Sequence, residues 1–291
     1  MSEVTVAANI RCIVGEGPVW HDGEAALYWV DIKNPTVHRL HPATGSLASW
    51  PMPERIGFLM PRAGGGFVAG LKSGLKTVDL AAGAIEPIGD PEPHFPDNRF
   101  NDGKVDRQGR LWAGTMDDAE GASSSGSLYR LHGDGRWHVM ESGVHLSNGL
   151  GWSPDDRTLY FTDSLRQTIY AYDYDAATGD IANRRVFARI GQAGVFPDGL
   201  AVDVDGFVWT ALFGGGRVER FDPDGRIERT LLMPVPQPTC CAFGGADLGT
   251  LYVTSASAGL DDAALARAPL SGALFALEPG VRGERQTPFA G

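Results

Sequence analysis

Four short phrases in this 291-residue chain carry side-chain oxygens at matching places: Glu16 in GEGPVW, Asn101 in FNDGKV, Asn148 in SNGLGW and Asp198 in PDGLAV. Asn-Gly and Asp-Gly are also turn dipeptides, because Asn, Asp and Gly tolerate positive φ. That accounts for Gly103, Gly149 and Gly199, but not for Glu16, which has no turn vocation. Two carboxylates and two carboxamides gathered in a partly dry site form an all-oxygen set whose like charges repel unless a cation lies between them. The set suits a hard divalent ion such as Ca²⁺, Mg²⁺ or Mn²⁺, and such an ion polarises a bound oxygen and activates water.

The phrases converge only if the fold repeats. Six segments share one grammar of turn, short aromatic and β-branched strand, gap and second alternating strand: ALYWVDIKNPTVHRLHPATG, GFVAGLKSGLKTVDLAAG, RLWAGTMDD with GSLYRLHGDG, TLYFTDSLRQTIYAYDYDAATG, FVWTALFGGGRVERFDPDG, and TLYVTSASAGL with GALFALEPG. Aligned on Leu27, Phe67, Leu111, Leu159, Val208 and Leu251, they recur at intervals of 40 to 49 residues, the length of a four-stranded propeller blade. The period predicts a single all-β domain over 1–291, a six-bladed β-propeller with four-stranded antiparallel blades. Val4 to Ala8 alternates like a strand and is expected to close the ring by joining the C-terminal blade. The one helix-like stretch, DDAALARAP from Asp261, is ended by Pro269, and GASSSG at Gly121 reads as a surface loop inside a blade.

Within each repeat the polar residue lies about ten or eleven positions before the aligned strand residue. In the second and sixth repeats that count falls on Ile56 or Gly57, and on Cys240 or Cys241. Innermost strands of a propeller surround a central channel, so equivalent positions at their entrances meet around the axis. The expected cation site is therefore on that axis.

Bulk properties narrow the partners. The formal charge is −11 with no long run of Lys or Arg, which repels a phosphate backbone, so no nucleic-acid partner is expected. No apolar run reaches 18 residues, and the N-terminus lacks the basic start and apolar stretch of a secretory signal, so neither membrane spanning nor secretion is expected. Three cysteines, two of them adjacent, do not make a disulfide framework and fit a reducing cytoplasm. Seven histidines show no HxH or HExxH spacing, and no GxSxG phrase occurs, which argues against a histidine-rich zinc centre and against a serine esterase. Trp20, Trp112, Trp152 and Trp209 recur at blade positions and read as core.

Taken in order, GEGPVW, DNRFNDGKVD, GRLWAGTM, SNGLGWS, DSL, YDYDAATG, NRRVF, PDGLAVD, CCAFGG and a terminal FAG resemble the senescence-marker-protein, gluconolactonase and luciferin-regenerating-enzyme family over nearly the whole chain. The resemblance implies a six-bladed propeller with one axial divalent ion, Ca²⁺, Zn²⁺, Mn²⁺ or Mg²⁺, and hydrolysis of an aldonolactone. It implies that Glu16, Asn148 and Asp198 ligate the ion, and that Arg99 of NRFND and Asn101 hold the substrate. Family members place an acidic residue shortly after GTM to bind sugar hydroxyls. Ungapped counting puts Ala119 there, and Asp118 is the preferred candidate among the acidic residues beside it.

On that reading Asp198 is also the catalytic residue, taking a proton from water and returning it to the ring oxygen, while Arg99 and Asn101 orient the ring. Two rivals remain: an organophosphate or aryl-ester hydrolase on the same scaffold, for which a mainly apolar pocket is expected, and a non-catalytic calcium-binding regulator. Propellers of the WD type carry recurrent Gly-His and Trp-Asp dipeptides, which are missing here.

Overall fold

A computed structural model describes residues 3–119 and 123–291. Glu120 and the start of the GASSSG insertion, Gly121 and Ala122, lie outside the described residues.

Six four-stranded antiparallel sheets follow one another along the chain. Their first strands, Gly15–His21, Ile56–Pro61, Asn98–Val105, Ser147–Trp152, Phe196–Val202 and Pro238–Gly244, pack side by side around a central channel. The sixth blade draws three strands from the C-terminal part and takes its outermost strand, Thr5–Ala8, from the N-terminus, where Thr5 pairs with Ala276 and Ala8 with Leu274. The ring closes as expected, and no sheet is left as an open fan of three strands. The short helix also forms, over Asp262–Arg267, with the Asp261 carboxylate accepting from the Ala264 N–H at its N-terminus.

The inner strands are buried on both faces, which is why they are apolar or small except at the channel. Trp112 and Trp209 are wholly buried and Trp20 and Trp152 nearly so, so the recurring tryptophans are core residues.

At the foot of two blades the hairpins carry a phrase that the strand alternation did not reveal. In DRQGRLW and DVDGFVW, Asp106 and Asp203 turn the chain. One carboxylate oxygen accepts from backbone N–H groups two and four residues on, and the other accepts from the tryptophan indole six residues on. Gly109 and Gly206 supply the positive φ that the turn demands, 81° and 83°. A guanidinium completes each cluster, Arg110 on Asp106 and Arg220 on Asp203. Asp203 has no exposed surface. Asp203→Ala strips the buried charge from this cluster, leaving Arg220 with only its more exposed partners Glu228 and Asp205 and the turn and indole N–H groups without an acceptor, so it should cost about 3 kcal/mol of stability. A denaturant titration showing a midpoint within error of the parent would contradict that role.

The chain then runs back beneath the ring. Gly283 bridges to Asp203, Gln286 Nε2 donates to the Val105 carbonyl, Glu284 pairs with Arg107, and Phe289 bridges to Arg62. This tie lies at the foot of the blades, opposite the strand entrances.

Candidate active site

The six inner strands share a local fault. Each loses register near its entrance: between Glu16 and Val19, Ile56 and Phe58, Phe100 and Asp102, Asn148 and Leu150, Pro197 and Leu200, and Pro238 and Cys241. A bulge inserts an unpaired residue and re-aims the side chains beside it. Repeated six times at one level, it turns a ring of strand entrances into a ring of inward-facing groups.

Register also fixes which residues are equivalent. Leu27, Phe67, Leu111, Leu159, Val208 and Leu251 pair with Trp20, Pro61, Val105, Trp152, Val202 and Phe243. Four residues before each partner stand Glu16, Gly57, Asn101, Asn148, Asp198 and Thr239. The second blade thus contributes a glycine, one of the two positions expected. The sixth contributes Thr239 rather than Cys240 or Cys241, a correction: its first hairpin is longer than the others, so counting along the sequence overshoots. Thr239 turns away from any ligand role, its hydroxyl donating to the Gly15 carbonyl. All three cysteines are buried and free.

The four polar residues meet. Glu16, Asn101, Asn148 and Asp198 line one cavity of about 240 Å³ at the channel mouth together with Arg99, and each is more than nine-tenths buried. Asn101 Nδ2 donates to Asn148 Oδ1 at 2.8 Å, and Asn148 Nδ2 donates to Ser164 Oγ at 2.8 Å, which holds the Asn148 carboxamide at both ends. Glu16 Oε2 accepts from the Gly17 N–H at 2.9 Å. Gly17 has a φ of +52°, and that left-handed residue lets the chain turn under its own carboxylate. Glycine is required again at Gly149, where a Cβ would stand 2.7 Å from the Asp198 carbonyl oxygen.

Electrostatics distinguish this site from an ordinary polar cluster. Burial, then the charge of Asp102, pushes Glu16 up to about 8. Burial, then Glu16 and Asp102, raises Asp198 well above the usual carboxylate range, offset in part by the Gly199 N–H and the Asn148 side chain. Asp198 Oδ1 is buried without a hydrogen-bond partner among the described residues. A buried carboxylate oxygen with neither donor nor cation is costly, and a second buried carboxylate, Glu16, stands beside it. Among the described residues no three His, Cys, Asp or Glu side chains are grouped so as to hold a metal ion by themselves. The donor set is instead two carboxylates with carboxamides, hard oxygens whose charge matches a divalent ion.

Several supports had no signal in the repeat of polar phrases. Asp31 and Asp163 end the second strands of blades 1 and 4. Asp31 accepts from the Ile13 and Val14 N–H groups and Asp163 from those of His145 and Leu146, so each carboxylate pins the segment that enters a ligand-bearing strand. Both close similar phrases, YWVD and YFTD, which is the trace by which sequence could have found them. Asp102 follows Asn101 where blades 1, 4 and 5 have glycine, and places a third carboxyl in the channel, raised to about 6 by burial against the opposing pull of Lys104.

Arg99 and Asn101 are joined, Nη1 to Oδ1 at 2.6 Å, and Arg99 Nε donates to Asp118 Oδ1 at 2.9 Å. Asp118 also pairs with Lys72 at 2.5 Å and with Arg55. Burial raises its carboxyl, but the hydrogen bonds from Lys72 and Arg55 outweigh that, and the net direction is downward. Three cations thus occupy Asp118, which stands behind Arg99 rather than on the cavity wall. Its geometry suits holding the guanidinium in place. Asp118→Asn should therefore weaken substrate binding about tenfold through Arg99, the scale of one charge-assisted hydrogen bond. The effect should appear mainly in KM; an unchanged KM would show that Arg99 does not depend on this anchor.

The cavity wall is mixed. Of its fifteen lining residues, eight are apolar, among them Ile32, Met116, Leu146, Leu165, Phe196 and Phe213.

Comparison with known proteins finds relatives over nearly the whole chain. Residues 14–257 match the family profile described as the SMP-30/Gluconolactonase/LRE-like region. Regucalcin of Xenopus laevis is 38% identical over 97% of this chain and 99% of its own length. The 6-deoxy-6-sulfogluconolactonase of Pseudomonas putida is 40% identical over 97% and 99%. A solved structure described as the calcium-binding protein regucalcin from Agrobacterium tumefaciens superposes with a TM-score of 0.94 at 30% identity, covering 99% of this chain and 97% of that one.

Proposed function

This chain belongs to the SMP-30/gluconolactonase/LRE-like family, and from that premise we propose that it hydrolyses a sugar lactone to the open-chain aldonic acid with the help of one divalent ion. The observation that carries the reading is the buried pair Glu16 and Asp198 with an orphaned Asp198 oxygen, set beside Asn148 and facing a cavity just large enough for a small ring. Glu16, Asn148 and Asp198 would hold the ion, which when bound polarises a carbonyl oxygen and lowers the pKa of water.

The chain's own groups account for the rest. A lactone is a cyclic ester, so its hydrolysis needs a proton acceptor for the attacking water and a proton donor for the departing ring oxygen. Asp198, with one carboxylate oxygen kept off the ion, would serve as both, taking the proton as water adds to the carbonyl carbon and returning it as the ring C–O bond breaks. Arg99 and Asn101 orient the ring hydroxyls from fixed positions, Asn101 through its carbonyl oxygen, because its two N–H hydrogens are held by Asn148 and by the Ser147 carbonyl. Relatives named as lactonases support this class of reaction.

One observation favours a second reading. The apolar residues on the cavity wall suit an aryl ester or phosphotriester, which would use the same ion and the same carboxylate. Following acid release in a pH-stat separates the two. The lactonase reading expects gluconolactone to be hydrolysed at a kcat/KM at least tenfold above that for an aryl phosphotriester, and the reverse order would replace it.

A further inference from the structure

The cavity has two unlike halves. Blade 3 presents Arg99 and Asn101, with Asp118, Arg55 and Lys72 behind them. Blades 4 and 5 present Leu146, Leu165, Phe196 and Phe213. Phe196 and Phe213 are cross-strand partners in the first hairpin of blade 5, so their side chains stand together on one face of the sheet. Leu165 remains 37% exposed in the turn Ser164–Arg166. Gln167 Nε2 donates to the carbonyls of Gln192 and Val195, which fixes the segment leading into Phe196. This wall is built and held, and nothing in the hydrolysis of a lactone requires it.

The chemistry of the ring indicates what meets the wall. Asp198 lies two residues from Phe196, and the carbonyl and ring oxygen must approach Asp198. In a lactone, the carbon next to the carbonyl and the carbon bearing the ring oxygen lie on opposite sides of that ester bond. With the first carbon's hydroxyl turned to Arg99 and Asn101, the second carbon's substituent is directed at Phe196 and Phe213. A hydroxyl directed at the Phe196–Phe213 pair meets two hydrocarbon rings and loses water there, whereas a methyl group gains by burial.

We propose that the substrate is a lactone with an apolar end, a terminal-deoxy aldonolactone that carries a methyl group where common hexonolactones carry a hydroxymethyl. The proposal rests on the lactonase reading and adds the class of lactone. A hydrophobic wall discriminates against an added hydroxyl by at most about a hundredfold, and this one is partly open to solvent, so the expected preference is about tenfold or more.

The test compares D-glucono-1,5-lactone, in which the carbon bearing the ring oxygen carries the hydroxymethyl group directly, with its 6-deoxy counterpart, two molecules that differ by one oxygen, at saturating divalent metal. The wild-type protein should show a kcat/KM at least about tenfold higher for the deoxy lactone, and Phe213→Asn, which supplies a carboxamide to the wall, should bring the ratio close to one. A smaller wild-type ratio with both lactones hydrolysed overturns this inference and leaves the lactonase reading standing. A wild-type ratio that survives Phe213→Asn overturns the assignment to this wall. Hydrolysis of neither lactone removes the lactonase reading on which the inference depends. The wild-type comparison needs no variant, so it decides the matter even if Phe213→Asn does not fold.

Discussion

Asp198→Ala, assayed at saturating divalent metal, should lower kcat/KM for a sugar lactone by at least about 10³-fold, because it removes a positioned proton acceptor and a cation ligand at once. Asp198→Asn separates the two roles. The carboxamide keeps an oxygen for the ion but accepts no proton, so metal should still bind while turnover is lost. It also removes one of two carboxylates that repel in a buried site, raised by burial and by Glu16, so the metal-free variant should be no less stable than the metal-free parent. Turnover near the parental rate in either variant would show that the proton goes elsewhere.

Removal of the ion should be nearly as severe, and its effect on stability should depend on pH. Glu16 has a folded pKa of about 8, above its ordinary value of 4.5, and Asp198 is shifted in the same direction. In the metal-free protein both carboxyls are most comfortable protonated. The stability they allow is complete below pH 4.5 and is lost as pH rises through about 8. A divalent ion binds the ionised form and cancels that loss. Chelation should therefore abolish lactone hydrolysis reversibly, and readdition of the ion should raise the melting temperature more at pH 8 than at pH 5. An equal shift at both pH values, or full activity in excess chelator, would contradict the account.

The architecture was legible because the blade repeat writes itself into the sequence. Aromatic strands at one period led to six blades, alternation marked Val4 to Ala8 as the closing strand, which forms over Thr5–Ala8, and the same period brought Glu16, Asn101, Asn148 and Asp198 to one level. What escaped were features with no period. The entrance bulges leave no residue signature, and the longer first hairpin of blade 6 hid Thr239 behind Cys240 and Cys241. Asp118 could be singled out as an acidic residue near GTM, but its partners Arg55 and Lys72 come from blade 2, which supplies no polar group at the ligand position, so nothing pointed to them. Leu165, Phe196 and Phe213 read as ordinary turn and strand residues, and only the closing of the ring places them across from Arg99. Local pattern finds groups that repeat; it does not find groups that meet only because the sheet ring has closed.

The central claim is that Glu16, Asn148 and Asp198 share one divalent ion, and anomalous scattering from crystals soaked in Mn²⁺ tests it most directly. The account predicts a single strong peak at the channel mouth, about 2.0–2.6 Å from an oxygen of each of the three side chains, and its loss in Glu16→Ala. A peak bound elsewhere, or none at a concentration that supports activity, would contradict it.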